Sequence, residues 1–462
     1  MLIMKVIFIF FFTVFTICNT PAQAFAAEQP VAIFHAFSQK YSDVEKFVCT
    51  LADQGYSHVQ ISPAQKSTDP RPRGLNETED QYEQDTWYFR YQPIDYSIIE
   101  GLGTEKDIKN LVDKAHSCNL KIIADVVFNQ MITEPKGYDF NDSPTIDGKK
   151  LTKPCDIDNY GDRDKVLYCR LLGMPDLDFT DRVKTIQKGH LKKLLSLGID
   201  GFRFDAAKHM PPNVVKEYID YINKESAGNA WNYLEVIEDS GTKAEDYNWI
   251  AAVEDFILYG SMKDAFSHDG DLRSLQVPVA VKDSRSVVFG RNHDQITGWT
   301  SLNAYTDKTD SYLASAYVLA RQQGTPLVLR YENFSASYIP TGVKFRQIMT
   351  QREKKGLNVK DNVLKVMDSP TVLMMERGSE GFFVENKGKD KLDMPTLDLT
   401  LTNLEGCYKE LRNNFTVAIE KSKDEPNKKY VTRWGTWDRG GIEVYGRDAL
   451  YFTREPFDAC KA

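Results

Sequence analysis

Short apolar runs that end in polar residues recur along the first two thirds of the chain. PVAIFHAF (30–37), YSHVQISP (56–63), KIIADVVFN (121–129), GFRFDAA (201–207), NYLEVIE (232–238), SVVFGRNHD (286–294) and TPLVLRY (325–331) have the length and composition of buried strands, and AAVEDF (251–256) is a weaker eighth. Between many of them the period changes. VEKFVCTLADQG (44–55), EKDIKNLVDKAHSC (105–118), VKTIQKGHLKKLLSLG (183–198) and VVKEYIDYIN (214–223) place apolar residues three and four apart, as amphipathic helices do. Strands alternating with helices imply a parallel sheet. Eight such units predict an α/β fold, a (β/α)8 barrel, which takes ~250 residues plus insertions. A doubly wound open sheet is the alternative, but no Gly-rich phosphate loop follows the first strand.

The pattern lapses twice. Residues 130–176 are rich in Pro, Gly and Asp without periodicity, an excursion between the third strand and its helix. Beyond about residue 345 the helices fade, and TVLMMERG, GFFVENKG, TLDLTLTNL, NFTVAIEKS and IEVYG predict a C-terminal antiparallel β domain. The expected organisation is a leader over 1–26, a barrel over 27–129 and 177–345 interrupted by the excursion 130–176, and a β domain over 346–462.

Charge and cysteine content narrow the setting. The net charge of -8, with no long basic run, disfavours nucleic acid and anionic membranes as partners and leaves room for a neutral substrate. Lys5, the apolar run VIFIFFFTVFTIC and small residues around Ala24 to Ala27 form a secretory signal with a cleavage site after Ala26, or after Ala24. No later segment is long and apolar enough to cross a bilayer, so the mature chain is expected to be secreted, free of the membrane and monomeric. Six cysteines follow the leader, an even set that favours disulfides in an exported protein. Nearest-neighbour pairing joins Cys155 to Cys169 and Cys407 to Cys460 and leaves Cys49 with Cys118; other connectivities stay open. Sequons stand at Asn76, Asn141, Asn333 and Asn414.

Chemistry gathers at the C-terminal ends of barrel strands, and the polar residues of this chain gather there too. Asp125 and Asn129 close the third strand, Arg203 and Asp205 the fourth; Glu235 and Glu238 lie on the fifth, and Asn292, His293 and Asp294 end the seventh. In GFRFDAAKH, alternation turns Phe202 and Phe204 to one face and Arg203 and Asp205 to the other. Buried charges persist only where they are satisfied or employed. Carboxylates, a histidine and an arginine around one cavity suit glycoside hydrolysis, which needs one protonated acid and one ionised carboxylate. Arg203 should favour the charged form of Asp205, as a nucleophile requires. Glu235, among Leu234, Val236 and Ile237 with Trp231 upstream, is the candidate acid.

DVVFNQ, GFRFDAAKH, LEVIE and FGRNHD, in that order, resemble the four signature segments of the α-amylase family of glycoside hydrolases; MPDLDF (174–179) is similar to its fifth, and QISP (60–63) to its second strand. The likeness runs from about residue 30 to 330. It implies Asp205 as nucleophile, Glu235 as acid/base and Asp294 as transition-state stabiliser, with Arg203 holding Asp205, His293 on the sugar and Asp125 supporting the site from beneath. Retention of anomeric configuration follows. Lys208 and His209 are similar to the pair that lines a leaving-group subsite in true α-amylases. TWYFRYQPIDY (86–96) resembles a segment that stacks on glucose, which makes Trp87, Tyr88, Tyr91 and Gln92 substrate candidates. The resemblance also implies a structural calcium ion, held by Asn129, Asp176 and the backbone carbonyls of His209 and Leu167. DIDNYGDRDKVLYC (156–169) looks like animal-type members and implies the Cys155–Cys169 bond. The expected activity is internal cleavage of an α-1,4-glucan. An exo-acting α-glucosidase, a transglycosylase or a silent glucan-binding scaffold are the rivals, though all three catalytic carboxylates are present.

Two departures stand out. Gln130 replaces a histidine that contacts the sugar in relatives, which implies weakened binding or altered specificity. Some animal-type relatives bind chloride beside the arginine. Here Arg203 and Asn292 are present, but Leu327 stands where a basic residue is wanted and Arg330 is out of phase, so no chloride requirement is expected.

Overall fold

The computed structural model describes residues 27–67, 72–132, 145–146, 149–150, 155–281, 285–295, 307–364, 369–398, 402–434 and 441–460. The expected leader and Asn141 lie outside them.

Eight parallel strands close into a barrel in chain order. They are β1 (Ile33–Ala36), β2 (His58–Ile61), β3 (Lys121–Val126), β4 (Gly201–Phe204), β5 (Trp231–Leu234), β6 (Ala252–Glu254), β7 (Ser286–Val288) and β8 (Thr325–Leu329), with β8 pairing back onto β1. Every predicted strand is present, the weak AAVEDF among them. Each is shorter than its apolar run, because the polar tails leave the ladder for turns at the barrel mouth.

Helices α1 (Tyr41–Gln54), α2 (Glu105–Ser117), α3 (Asp181–Ser196) and α4 (Pro212–Glu225) lie where the three- and four-residue spacing put them. Their apolar stripes, such as Ile108, Leu111, Val112 and Ala115 on α2, are buried against the outside of the barrel. At about 1.5–3 kcal/mol per fully buried large apolar side chain, these stripes are what holds the helices to the sheet. Three further helices, α5 (Phe256–Phe266), α6 (Lys308–Ala320) and α7 (Tyr338–Lys354), follow β6, β7 and β8. In α6 buried residues run round nearly the whole circumference, so the helix carries little periodic signal. The β5–β6 connection holds only a 3₁₀ turn, Ala244–Asp246. Gly201 opens β4 because a Cβ there would lie 1.9 Å from the Trp231 carbonyl oxygen.

The excursion leaves β3 and returns through a paired neck. Gln130 bridges Asp176, the Met131 amide donates to the Pro175 carbonyl and the Leu177 amide to the Asn129 carbonyl. Within it a short helix, Arg163–Tyr168, runs into the Cys155–Cys169 disulfide. Cys49–Cys118 ties α1 to the end of α2, and Cys407–Cys460 closes the C-terminal domain. All three bonds follow the nearest-neighbour pairing.

Helix α7 runs through the expected boundary at 345/346, and the β domain starts at Asp361. It is an antiparallel sheet of β9 (Asp361–Leu364), β10 (Val372–Arg377), β11 (Gly381–Asn386), β12 (Thr396–Asp398), β13 (Gly406–Glu410), β14 (Thr416–Lys421), β15 (Lys428–Trp434) and β16 (Asp448–Glu455), in the order β9-β10-β11-β16-β13-β14-β15-β12. Alternation divides its faces. Phe382, Val384 and Phe452 fill the domain's own core, whereas Phe383, Ala449 and Tyr451 join the core shared with the barrel helices. Asn333, one of the sequons, is buried, accepting from the Tyr56 hydroxyl and donating to Gln54, so its amide is engaged inside the fold; Asn76 and Asn414 are exposed. Among the described residues no helix is long and apolar enough to cross a membrane.

Candidate active site

Inside the barrel, a layer of Ile33, Ile123, Tyr233, Ala252, Val287 and Leu327 seals the interior. Two residues further along several strands the same inward face turns polar: His35, Gln60, Asp125, Arg203, Glu235 and Glu254. The mouth is therefore the continuation of the barrel's own side-chain layers.

Arg203 is fully buried at its centre. Nη1 donates to both oxygens of Asp125 (3.1 and 3.0 Å) and to Asp205 Oδ1 (3.0 Å). Nη2 makes an ion-pair contact of 3.2 Å with Glu235 Oε1, and Nε donates to Glu254 Oε1 at 3.1 Å. One guanidinium thus serves four carboxylates from β3, β4, β5 and β6. The backbone ladder runs on to hold two of them, the Asp205 amide donating to the Val126 carbonyl and the Glu235 amide to that of Phe204. Ala206, just after Asp205, is left-handed with φ 47°, an unfavourable conformation for a residue with a Cβ. Its amide donates to Glu235 Oε2 at 2.6 Å, so the strained turn ties the two carboxylates together.

The electrostatics correct one expectation. Arg203 was to hold Asp205 in the charged form, yet burial and the Glu235 carboxylate raise Asp205 well above the usual aspartate range, with Arg203 offsetting only part. The physical reason is division of one positive charge among four acids in a desolvated pocket. Burial likewise raises Asp125 to about 6 and Glu254 to about 7, against the pull of Arg203. Asp294 is raised by burial and by Glu235, with which it shares a hydrogen bond. Each of these acids is thus held above the ordinary carboxyl range.

Around this cluster the aromatic residues close in. The 3₁₀ turn Trp87–Tyr91 lays the Tyr91 ring on His293 (centroids 5.0 Å apart, 15° between planes), and the Tyr91 hydroxyl donates to Asp125 at 3.0 Å. Phe37 stacks on His293 at 4.9 Å, and Trp87 meets it edge-on at 5.4 Å. Burial and Arg203 hold His293 well below its ordinary range, hence neutral. Tyr88 and Gln92 ride on the same turn, Tyr88 stacked on Phe89 and the Gln92 amide bonded to the Phe89 carbonyl. The Gln130 amide nitrogen donates to Asp205 Oδ2 at 3.1 Å and to the Tyr91 carbonyl at 3.2 Å, while its oxygen is buried with no hydrogen-bond partner.

Lys208 and His209 face the excursion. Lys208 Nζ donates to Asp239 at 2.8 Å and to the Ile237 carbonyl at 3.1 Å, and lies over the Tyr160 ring. His209 Nδ1 is 3.2 Å from the Val166 carbonyl. At the excursion's neck Asn129 Nδ2 donates to Asp176 Oδ2 at 2.7 Å, both fully buried. Among the described residues no group of three or more His, Cys, Asp or Glu could hold a metal; the neck offers instead one carboxylate, one amide and backbone carbonyls. Glu238, expected with the strand-end acids, accepts from the Ala244 amide and caps the 3₁₀ turn.

Reading the sequence missed Glu254, His35 and Phe37. Alternation was the available signal: in AAVEDF it turns Ala252 and Glu254 inward as it turns Arg203 and Asp205. His35 sits edge-on to His293 at 5.3 Å with both ring nitrogens buried without a hydrogen-bond partner.

Barrel and mouth together define an enzyme that works on its substrate with clustered carboxylates. Residues 65–152 match the family model "Alpha amylase, catalytic domain". The chain is 28% identical over 408 residues to an α-amylase of Aeromonas hydrophila, covering 77% of this chain and 84% of that one. With an α-amylase of Streptomyces violaceus it shares 30% identity over 329 residues, 67% of this chain and 54% of the relative. The fold is that of α-amylase I from Eisenia fetida, solved with maltohexaose: TM-score 0.70 at 20% identity, covering 91% of this chain and 98% of that one. The chain belongs to the α-amylase family of glycoside hydrolases.

Proposed function

We propose that the protein is a secreted, retaining α-amylase that cleaves internal α-1,4 bonds of starch- or glycogen-type glucans. The observation that carries the mechanism is that Asp205 and Glu235 touch the two terminal nitrogens of one guanidinium, at 3.0 and 3.2 Å. That shared partner suits the close carboxyl separation, about 5–5.5 Å, that retaining enzymes use.

In the first step Asp205 attacks the anomeric carbon, the glycosidic C–O bond breaks, and Glu235 gives its proton to the departing oxygen. In the second, Glu235 takes a proton from water, the hydroxide oxygen bonds to the anomeric carbon, and the ester to Asp205 breaks. Asp294 and the neutral His293 hold the distorted sugar, and Asp125 with Arg203 supports Asp205 from below. Trp87 and Tyr91, with Tyr88 and Gln92 on the same turn, present ring faces and an amide to glucose units. Lys208 and His209 line the leaving-group side.

The neck residues fit a calcium ion. Asn129, Asp176 and the carbonyls of His209 and Leu167 are all hard oxygen donors once the Asn129 amide turns its oxygen inward, as a calcium site requires. The ion would pin the excursion to the barrel. Chloride has no place in this reading, because the Glu254 carboxylate already engages Arg203 and Asn292 and Leu327 is apolar. Three disulfides suit an oxidising compartment, and a single chain contains every residue the reaction uses, in keeping with a monomer.

The test is digestion of soluble starch with calcium, following iodine staining and new reducing ends together. Staining lost early with few reducing ends is the expected result. Reducing ends that rise while staining persists would indicate an exo-acting enzyme, and no change in either would overturn hydrolysis altogether.

A further inference from the structure

Glu254 on β6 has no part in the steps above, yet it is as deeply placed as any group in the mouth, 1% exposed. Its two oxygens point to different partners. Oε1 accepts from Arg203 Nε at 3.1 Å and Oε2 from Asn292 Nδ2 at 3.4 Å. Arg203 then presents its remaining edges to Asp125, Asp205 and Glu235, while Asn292 Oδ1 accepts from the Asp294 amide at 3.0 Å. A planar guanidinium anchored at Nε cannot rotate in its pocket, so Glu254 determines which nitrogens face the reacting acids. Through Asn292 it also reaches the turn that carries Asp294.

The charge balance makes a second demand. Five carboxyl groups, on Asp125, Asp205, Glu235, Glu254 and Asp294, surround one arginine. The Tyr233 phenol on β5, which faces Glu254, is held neutral by burial, and His293 and His35, beside Arg203, are held neutral by burial and by Arg203, so these groups add no cation. Like charges this close cannot all be present, and burial and mutual repulsion raise Asp125, Asp205, Glu254 and Asp294 above the ordinary carboxyl range.

We propose that Glu254 is a positioning residue for hydrolysis: its carboxylate clamps Arg203 to Asn292, fixing the guanidinium edges that face the reacting acids, and adds its negative charge to theirs. The inference rests on the glycoside-hydrolase reading of the mouth.

The experiment compares wild type, E254Q and E254D by the pH profile of kcat/KM on soluble starch. With one acid fewer, the cluster of E254Q gives up its last proton more readily. Its alkaline limb should move toward acid by about one pH unit, a tenfold fall in proton affinity. E254D keeps the charge, and its limb should stay near that of wild type even where kcat falls. Loss of kcat in E254Q with an unmoved alkaline limb would reduce Glu254 to packing and overturn the proposal.

Should wild type leave starch intact, the reading of the function falls, and thermal unfolding decides the inference by itself. A carboxyl whose affinity for its proton is raised by folding contributes stability in acid that is lost as pH rises through about 7. Gln does not titrate, so the difference in Tm between E254Q and wild type should widen across that range. A constant difference would exclude a charge role.

Discussion

The barrel mouth and the seam between barrel and β domain bury the same kinds of side chain to opposite ends. In the mouth, the cation Arg203 faces four carboxylates. In the seam, buried cations take helix ends. Arg377 donates to the carbonyls of Ala320 (2.8 Å) and Arg321 (3.2 Å), at the C-terminus of α6, and to that of Val359 (2.7 Å). Lys387 donates to the carbonyls of Ala265, Ser267 and Gly270 at the C-terminus of α5. These cations complete the hydrogen bonding of helix termini, where the macrodipole favours positive charge. The acids differ as well. Glu385 on β11 is fully buried on the seam face with neither oxygen hydrogen-bonded, whereas Asp125, Asp205, Glu235 and Glu254 in the mouth all engage Arg203. Burial alone therefore does not mark a site. What marks it is charge held in mutual tension, with more acids than one cation can neutralise.

Removing a carboxylate should have opposite consequences in the two places. The largest effect is expected for Asp205→Asn, which removes the nucleophile while keeping shape: kcat should fall by about 10⁴-fold or more. Circular dichroism and Tm should remain close to wild type. Near-normal turnover by the well-folded variant would remove Asp205 from its role. The intact mouth carries its own signature, because Asp205 must be ionised to attack and its proton affinity is raised by burial and by Glu235. Activity should therefore be lost, as pH falls, above the ordinary aspartate range, which the acid limb of kcat/KM reads directly.

Arg377→Met should act on the fold alone. Burial already pulls Arg377 down to about 10, so its removal recovers some desolvation but takes the side-chain donor from the Val359 and Ala320 carbonyls, while that of Arg321 keeps Arg346. A net loss of about 2–3 kcal/mol in denaturant unfolding is expected, with kcat per folded molecule unchanged. A fall in kcat would join the two places that the comparison separates.

Gln130→Leu comes next in size. It deletes the amide that donates to Asp205 and the buried oxygen beside it, and should lower kcat/KM by about tenfold. No change would make Gln130 a spacer. The smallest effect belongs to Glu385→Gln. Burial raises the Glu385 carboxyl well above the glutamate range, so the stability it contributes is complete in acid and lost as pH rises toward and through that raised value. The uncharged amide escapes this loss. The variant should match wild type in acid and exceed its Tm increasingly toward neutral and alkaline pH. A gain independent of pH would show that Glu385 is not the titrating group.

Particular residues show how far the sequence could be read. Arg203 and Asp205 were legible because a period of two sends Phe202 and Phe204 outward and leaves the charged pair inside. Helix α2 was legible from the spacing of Ile108, Leu111, Val112 and Ala115, and the structure adds the Thr104–Asp107 capping box at its start. Helix α6 was not, since burial on every side erases the stripe. Glu254 was missed although alternation turns it inward with Ala252, because a strand of three residues gives that signal little weight.

By itself the sequence determined the order of strands and helices, the barrel, the β domain that follows it and the identity of the acids at the strand ends. All of these rest on local periodicity and on residue types at fixed spacing. The tertiary structure alone decided how charge is shared. Asp125, Asp205, Glu235 and Glu254 come from four strands, and only closure of the barrel brings them to one guanidinium, where burial and the neighbouring acids raise Asp205 against the pull of Arg203.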